Sequence, residues 1–160
     1  MFAIAINPVL LARFPAPTWT PNGLSVFVDT NILLYAASGR PADTVKTARA
    51  RQIVREEEVV ISFQVLQEFY ANATHPRKLG LTPAQAAAYC SAWLLFPVVP
   101  LGADTFVRTL EIATRYQISH WDAAIVAAAH EAGCRVLYSE DMNHGQDYGG
   151  VRLENPFRGL

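Results

Sequence analysis

Short β-branched runs alternating with helical segments predict an α/β fold, three-layer α/β/α, with a central, mainly parallel twisted sheet between helices. Two further features of the 160-residue sequence agree. Ser62, Thr82 and Ser119, all good helix caps, stand at the heads of three helical segments. Residues 123–129 are wholly apolar, as expected of a helix buried between neighbours. Hydrophobic content of 51% and charged content of 17% suit one compact domain and exclude general disorder.

Residues 1–24 carry Pro8, Pro15, Pro17, Pro21 and Gly23 and read as an irregular leader or extension, leaving 25–160 as the domain. Residues 26–28 form the first strand, followed by a short helix near Ile32. Residues 42–57 form a charged, exposed helix and 59–61 the second strand. Ser62 caps a helix that runs to Thr74. Thr82 and Pro83 open the next, TPAQAAAYCSAWLLF, with cap and first-position proline in the expected order. Residues 98–100 are a third strand, 104–116 a helix, and 119–132 a helix closed by Gly133. A fourth strand covers 135–138, and 151–153 supply a fifth at the edge.

The net charge of −1 gives no general basic signature, so contact with nucleic acid has to come from a local patch. Of thirteen cations only Lys46 and Lys78 are lysines. Arg40, Arg49, Arg51, Arg55 and Arg77 are candidates for backbone contacts, weighed against an ordinary solvated helix face. Cys90 and Cys134 have no metal-type spacing; buried thiols and a reducing, cytoplasmic location are expected. No apolar run has the length of a membrane span. The apolar start MFAIAINPVLLARF lacks a basic beginning and is broken by Asn7 and Pro8, against a signal peptide.

The chemistry lies in where the acids fall. In VFVDTNILLYA, Asp29 interrupts a run that otherwise reads as core, and a buried lone carboxylate costs several kcal/mol, at least roughly, unless paired. In parallel sheets ligands gather beyond the carboxyl ends of the strands. Asp29 follows the first strand, Glu140 and Asp141 follow the fourth, and Asp122 is in the first turn of SHWDAAIVAAAHEAG. Glu68, in SFQVLQEFYANAT, can lean to the same edge. Each has a plainer reading. Asp29 can cap the short helix, Asp122 can form a capping box with Ser119, and Glu140 and Asp141 can be a polar turn. Glu68 lies opposite the stripe Leu66, Phe69, Tyr70 and Ala73, which by helical geometry makes it a solvated residue. Together, however, clustered carboxylates repel one another unless a cation sits among them, and hard oxygen donors suit Mg²⁺ or Mn²⁺. Among the histidines, His75, His120, His130 and His144 lack zinc-site spacing, while His144 stands in a loop beside the acids and is a candidate for substrate approach. Trp121 spaces with Ile125, Ala128 and Ala132 as a core stripe.

VDTNILLYA, QEF, HWDAAIVAAA, and LYSEDMNHGQ with VRLENPF occur in an order that resembles the PIN-domain family of metal-dependent ribonucleases, particularly the VapC-like toxins of toxin-antitoxin pairs. The resemblance spans residues 26–157 and implies a PIN-like fold. It also implies an acidic catalytic set of Asp29, Glu68, Asp122 and Asp141, with Asp29, Asp122 and Asp141 holding Mg²⁺ or Mn²⁺. Asn31 and Ser139 would support the site or face the substrate. The implied activity is endonucleolytic RNA cleavage by a metal-activated water; the implied partners are a small antitoxin and a second copy or a larger toxin-antitoxin assembly. One departure is the 28 residues before Asp29, since in the family the first aspartate stands near the chain start. A start near Leu24 or Val26, or a partner-binding arm, are the two readings.

Two other phosphate-chemistry families fit less well. A haloacid-dehalogenase-type site needs a second Asp where Asn31 stands, and a receiver domain needs a later lysine, absent after Lys78. The alternatives that remain are a non-catalytic PIN-like binding module and a metal-dependent nuclease acting on DNA.

Overall fold

The computed structural model describes residues 24–160, so the leader expected over 1–24 lies, apart from Leu24, outside the described residues. Five short strands form one sheet: β1 (Val26–Val28), β2 (Val59–Ser62), β3 (Val98–Val99), β4 (Val136–Tyr138) and β5 (Arg152–Glu154). Their order is β3-β2-β1-β4-β5, and every neighbouring pair is parallel. All three residues of β1 are buried, as a strand covered on both faces requires. Phe27, Ile61, Leu137 and Leu153, one from each of four strands, are fully buried.

The helices are α1 (Thr30–Ala37), α2 (Thr44–Glu56), α3 (Phe63–Thr74), α4 (Pro83–Trp93), α5 (Ala103–Tyr116) and α6 (His120–Glu131). Helix α2 is shorter than the expected 42–57, because its first turn is wound as a tighter 3-10 turn over Pro41–Asp43. Ser62 ends β2 and caps α3, its hydroxyl accepting from the Val65 amide at 3.3 Å. Thr82 and Gln85 form a reciprocal capping box at the head of α4, which stops at Trp93, short of the expected Phe96. Helix α6 starts on Ser119, and Gly133, at φ 65°, turns the chain out of it. Residues 123–129 are buried throughout, and this alanine-rich helix packs against α5, β2 and β4.

Chain direction matters more than any single helix. From β1 the chain winds outward through β2 to β3, then crosses back to β4 on the other side of β1. The loops leaving β1 and β4 therefore diverge, and a crevice opens between them at the carboxyl ends of these two strands. Asp29 leaves β1 there, and Ser139, Glu140 and Asp141 leave β4.

Two packing expectations fail. Trp121 is 64% exposed and does not join Ile125 in the core; Tyr70 is 41% exposed and leaves the stripe of Leu66, Phe69 and Ala73. Both sit at the margin of their helix's apolar arc, where helical spacing alone cannot say how far the neighbours reach. Cys134 is buried and Cys90 half-buried, both as free thiols; burial pushes the Cys134 thiol up to about 12. Among the described residues no helix is long and apolar enough to cross a membrane.

Candidate active site

Asp29 does two jobs with its two oxygens. Its backbone is extended, and Oδ1 accepts from the Thr30 amide at 2.6 Å, capping α1. Oδ2 turns into the crevice, accepting from the Ser139 hydroxyl at 2.7 Å and the Asn31 side-chain amide at 3.1 Å. Asp29 thus caps α1 with one oxygen and leaves the other to the Ser139 and Asn31 side chains.

Asn31 ties the loops together. Its Nδ2 lies 3.1 Å from Asp29 Oδ2, 3.2 Å from Ser139 Oγ and 3.2 Å from Asp141 Oδ2. An amide nitrogen has two hydrogens, so three acceptors compete for them. Its other end, Oδ1, is buried with no hydrogen-bond partner. Ser139 is fully buried and also accepts from the Asp141 amide at 3.2 Å, which fixes that loop against β1.

Burial pushes the Asp29 carboxyl up to about 6; the Ser139 and Thr30 hydrogen bonds oppose this, and the Glu68 and Asp141 charges add to it. Ser139→Ala should raise it further and cost about 1–3 kcal/mol near neutral pH, the range for losing a buried polar partner. Urea denaturation and an NMR titration of the Asp29 carboxyl check both effects.

Glu68 reaches the same edge from α3. Its Oε2 accepts from the Thr30 hydroxyl at 3.1 Å and its Oε1 from Gln64 Nε2 at 2.8 Å, so it is half-buried rather than simply solvated. Gln64 Nε2 also lies 3.4 Å from the Trp121 carbonyl, linking the starts of α3 and α6. Asp122 stands one residue beyond that carbonyl, in the first turn of α6, with Oδ2 accepting from the Ser119 hydroxyl at 2.8 Å. Asp29, Asn31, Ser139 and Asp141 are therefore in direct hydrogen-bonded contact, Glu68 joins them through Thr30, and Asp122 stands apart on its cap. Exposed His144 accepts from the Asn155 amide through Nδ1 at 3.0 Å, bracing the loop after β4 against the segment after β5.

Glu140 turns away from Asp141. It accepts from the Tyr35 hydroxyl at 2.6 Å and forms an ion pair with Lys46, which also donates to the Tyr35 oxygen at 3.1 Å. Burial, then the Glu140 bond, push the Tyr35 hydroxyl above its ordinary value. Arg51 is likewise structural: it donates to the carbonyls of Ala36 (2.9 Å) and Ser38 (3.2 Å) at the end of α1. Thr30, Gln64, Tyr35 and Lys46 escaped the sequence reading. Thr30, Tyr35 and Lys46 each act through an acid 38 or more residues away, and Gln64 acts both through Glu68, four residues on, and through the Trp121 carbonyl, 57 away, so most of these pairs meet only through the order of strands.

Among the described residues no three His, Cys, Asp or Glu side chains form a ready-made metal cage. The donors nevertheless fit a hard divalent cation. Asp29 Oδ2 and Asp141 Oδ2 converge on one point, the Asn31 nitrogen, beside an unpartnered amide oxygen. One or two carboxylates, completed by water and substrate phosphate, is how Mg²⁺ is commonly held.

Comparison with known proteins follows the same outline. No curated protein sequence matches the chain. Solved structures do. A chain of a toxin-antitoxin complex from Klebsiella pneumoniae is 23% identical with a TM-score of 0.62, over 83% of this chain and 98% of that one. VapC20 from Mycobacterium tuberculosis, a sarcin-ricin loop cleaving toxin, is 22% identical with a TM-score of 0.62, over 82% and 100%. A chain of VapBC2 from Rickettsia felis, bound to a promoter DNA fragment, is 18% identical with a TM-score of 0.59, over 81% and 97%. These likenesses agree in fold with the parallel sheet described above. The family model of the PIN domain matches residues 26–146, from the first residue of β1 through the loop that carries Asp141, and the chain belongs to the PIN-domain family.

Proposed function

We propose that the protein is a Mg²⁺- or Mn²⁺-dependent endoribonuclease and the toxin of a toxin-antitoxin pair. One observation carries the catalytic part: two carboxylates from different strands meet at the sheet's switch point, and the more buried of them has its carboxyl pushed up to about 6. Structural likeness to a sarcin-ricin loop cleaving toxin supports RNA as the substrate, and likeness to chains of toxin-antitoxin complexes supports a small antitoxin as partner.

Asp29 and Asp141 would hold the cation, with Asp122 and Glu68 completing the acidic edge. Once bound, the metal supplies a water of lowered pKa and positive charge against the phosphodiester oxygens. The chain's own part is positioning. Ser139 and the Thr30 amide fix the Asp29 carboxylate so that Oδ2 points into the crevice. Thr30 and Gln64 hold Glu68 toward it, and Asn31 orders the loop after β4 through Asp141. No side chain has to act as a nucleophile. Attack by water in line with the leaving oxygen leaves a 5′-phosphate and a 3′-hydroxyl.

Purified protein should cut RNA with Mg²⁺ or Mn²⁺, stop in excess chelator, and leave those ends; undiminished cleavage in chelator rejects the metal assignment. Expression alone should slow growth, and co-expression of a short protein encoded beside it should restore growth. Harmless expression of a protein active in vitro would remove the toxin role but leave the nuclease.

A further inference from the structure

A cleft of about 250 Å³ opens directly beside Asn31 and Asp141. Its wall includes the half-buried apolar side chains Leu34 and Leu79, and Arg40 and Lys78 stand among its lining residues. Both lysines of the chain converge there. Lys78 lines the cleft, and Lys46 pairs with Glu140, which also lines it. The lining also carries Asp43, Glu140 and Asp141, so what the cations offer a ligand is what these partners leave free.

Each charge is placed differently. Lys46 is committed to Glu140 and Tyr35, so it neutralises a carboxylate that would otherwise repel an anion. Arg40 is still 54% exposed, and its ion pair with Asp43 is long, at 3.9 Å. Asp43 is held instead by the Ser38 hydroxyl at 2.7 Å. Lys78 is exposed and donates to Asn72 Oδ1. An ammonium has three hydrogens and a guanidinium five, so both keep donors for a ligand. At about 250 Å³ the cleft is below the roughly 300–1,000 Å³ of pockets that enclose a drug-sized ligand, so it has room for no more than one nucleotide, held in part.

We propose that this cleft is a subsite for one unpaired nucleotide adjoining the scissile phosphate. The nucleotide's phosphate meets Arg40 and Lys78, and its base lies against Leu34 and Leu79. This rests on the ribonuclease reading and deepens it: a single-nucleotide slot selects RNA whose bases are splayed out of a helix, as in loops and single strands. It also resolves how a polyanion approaches an acidic site, since the flanking phosphate is held by cations before the scissile one reaches the carboxylates.

Binding measured in chelator separates this proposal from catalysis. The probe is a fluorescein-labelled, six-nucleotide single-stranded RNA, titrated by anisotropy against wild type, Arg40→Gln, Lys78→Gln and Leu79→Asp, with circular dichroism confirming each fold. All three variants should bind on the order of tenfold more weakly than wild type. Arg40→Gln and Lys78→Gln should each flatten the dependence of log affinity on log salt by about 0.7, the effect of one lost phosphate contact on a single strand. Leu79→Asp has a second readout in case it disturbs packing: chemical shifts of Leu34 and Leu79 methyl groups in wild type should move with adenosine monophosphate and stay still with inorganic phosphate. If wild type cuts RNA normally while Arg40→Gln and Lys78→Gln bind like wild type, the subsite is wrong and the nuclease stands. If wild type binds the RNA through this cleft but never cuts, the nuclease reading fails and the binding site survives. Tighter binding of a duplex than of the single strand would overturn the single-nucleotide slot.

Discussion

Asp29→Asn should cut RNA cleavage by a factor on the order of 10² or more, since it removes a charge that would hold the metal, while leaving the metal-free protein as stable as wild type or more so near neutral pH. The stability half follows from the carboxyl's environment. Burial raises its pKa from 3.8 to about 6, so between those values the folded state binds more protons than the unfolded one. Folding stability must then fall as pH rises through that window, by up to about 3 kcal/mol at about 1.36 kcal/mol per unit. An asparagine has no such penalty. It loses the charge that strengthens the Ser139 and Thr30 bonds, so the net gain at pH 7.5 should be about 0 to 2 kcal/mol. Below pH 4, where the carboxyl is protonated in both states, the gain should disappear. Urea denaturation at the two pH values in chelator measures it. Added Mg²⁺ should raise the melting temperature of wild type by mass action and that of the variant much less. Equal metal responses from the two proteins would make Asp29 a helix cap and nothing more.

The sequence exposed this site because its main signals are local. An acid directly after a fully apolar strand, and a pair of acids two and three residues after another, mark the carboxyl edge of a parallel sheet without any knowledge of strand order. Capping residues were legible for the same reason, as Ser62, Thr82 and Ser119 act on amides within three residues. What stayed hidden depends on distance along the chain. Glu140 and Asp141 are neighbours in sequence, and only Lys46 and Tyr35, 94 and 105 residues away, turn the first aside. For Glu68, helical geometry alone gives a solvated residue, because the stripe on α3 defines an apolar face but says nothing of Thr30, which arrives from α1. Trp121 fails in the opposite sense. Its spacing belongs to the core stripe, yet the ring lies at the margin of the apolar arc and is left 64% exposed.

Asp122→Asn should cut cleavage by on the order of 10²-fold, as for loss of a charge that serves a metal centre, and barely change stability, although Asp122 has its own hydrogen bond to the Ser119 cap. Asparagine retains an oxygen to accept from the Ser119 hydroxyl, and the Ser119 oxygen still accepts from the residue 122 amide, at 3.1 Å in wild type. What disappears is a negative charge in the first turn of α6, worth about 0.3–1 kcal/mol against the helix dipole. Ser119→Ala makes the reverse change: it removes the cap, costing about 1 kcal/mol, and leaves the carboxylate in place. It should therefore keep most of the cleavage rate while melting earlier. Combining Asp29→Asn with Asp122→Asn should give a protein scarcely slower than either single variant, because groups serving one metal centre fail together. Initial cleavage rates and melting temperatures of these four variants and wild type decide between two roles for Asp122. Full activity with lowered stability in Asp122→Asn would assign that carboxylate to the cap, and the chemistry would then rest on Asp29, Asp141 and Glu68, the three acids that the loops after β1 and β4 and helix α3 hold around Thr30 and Asn31.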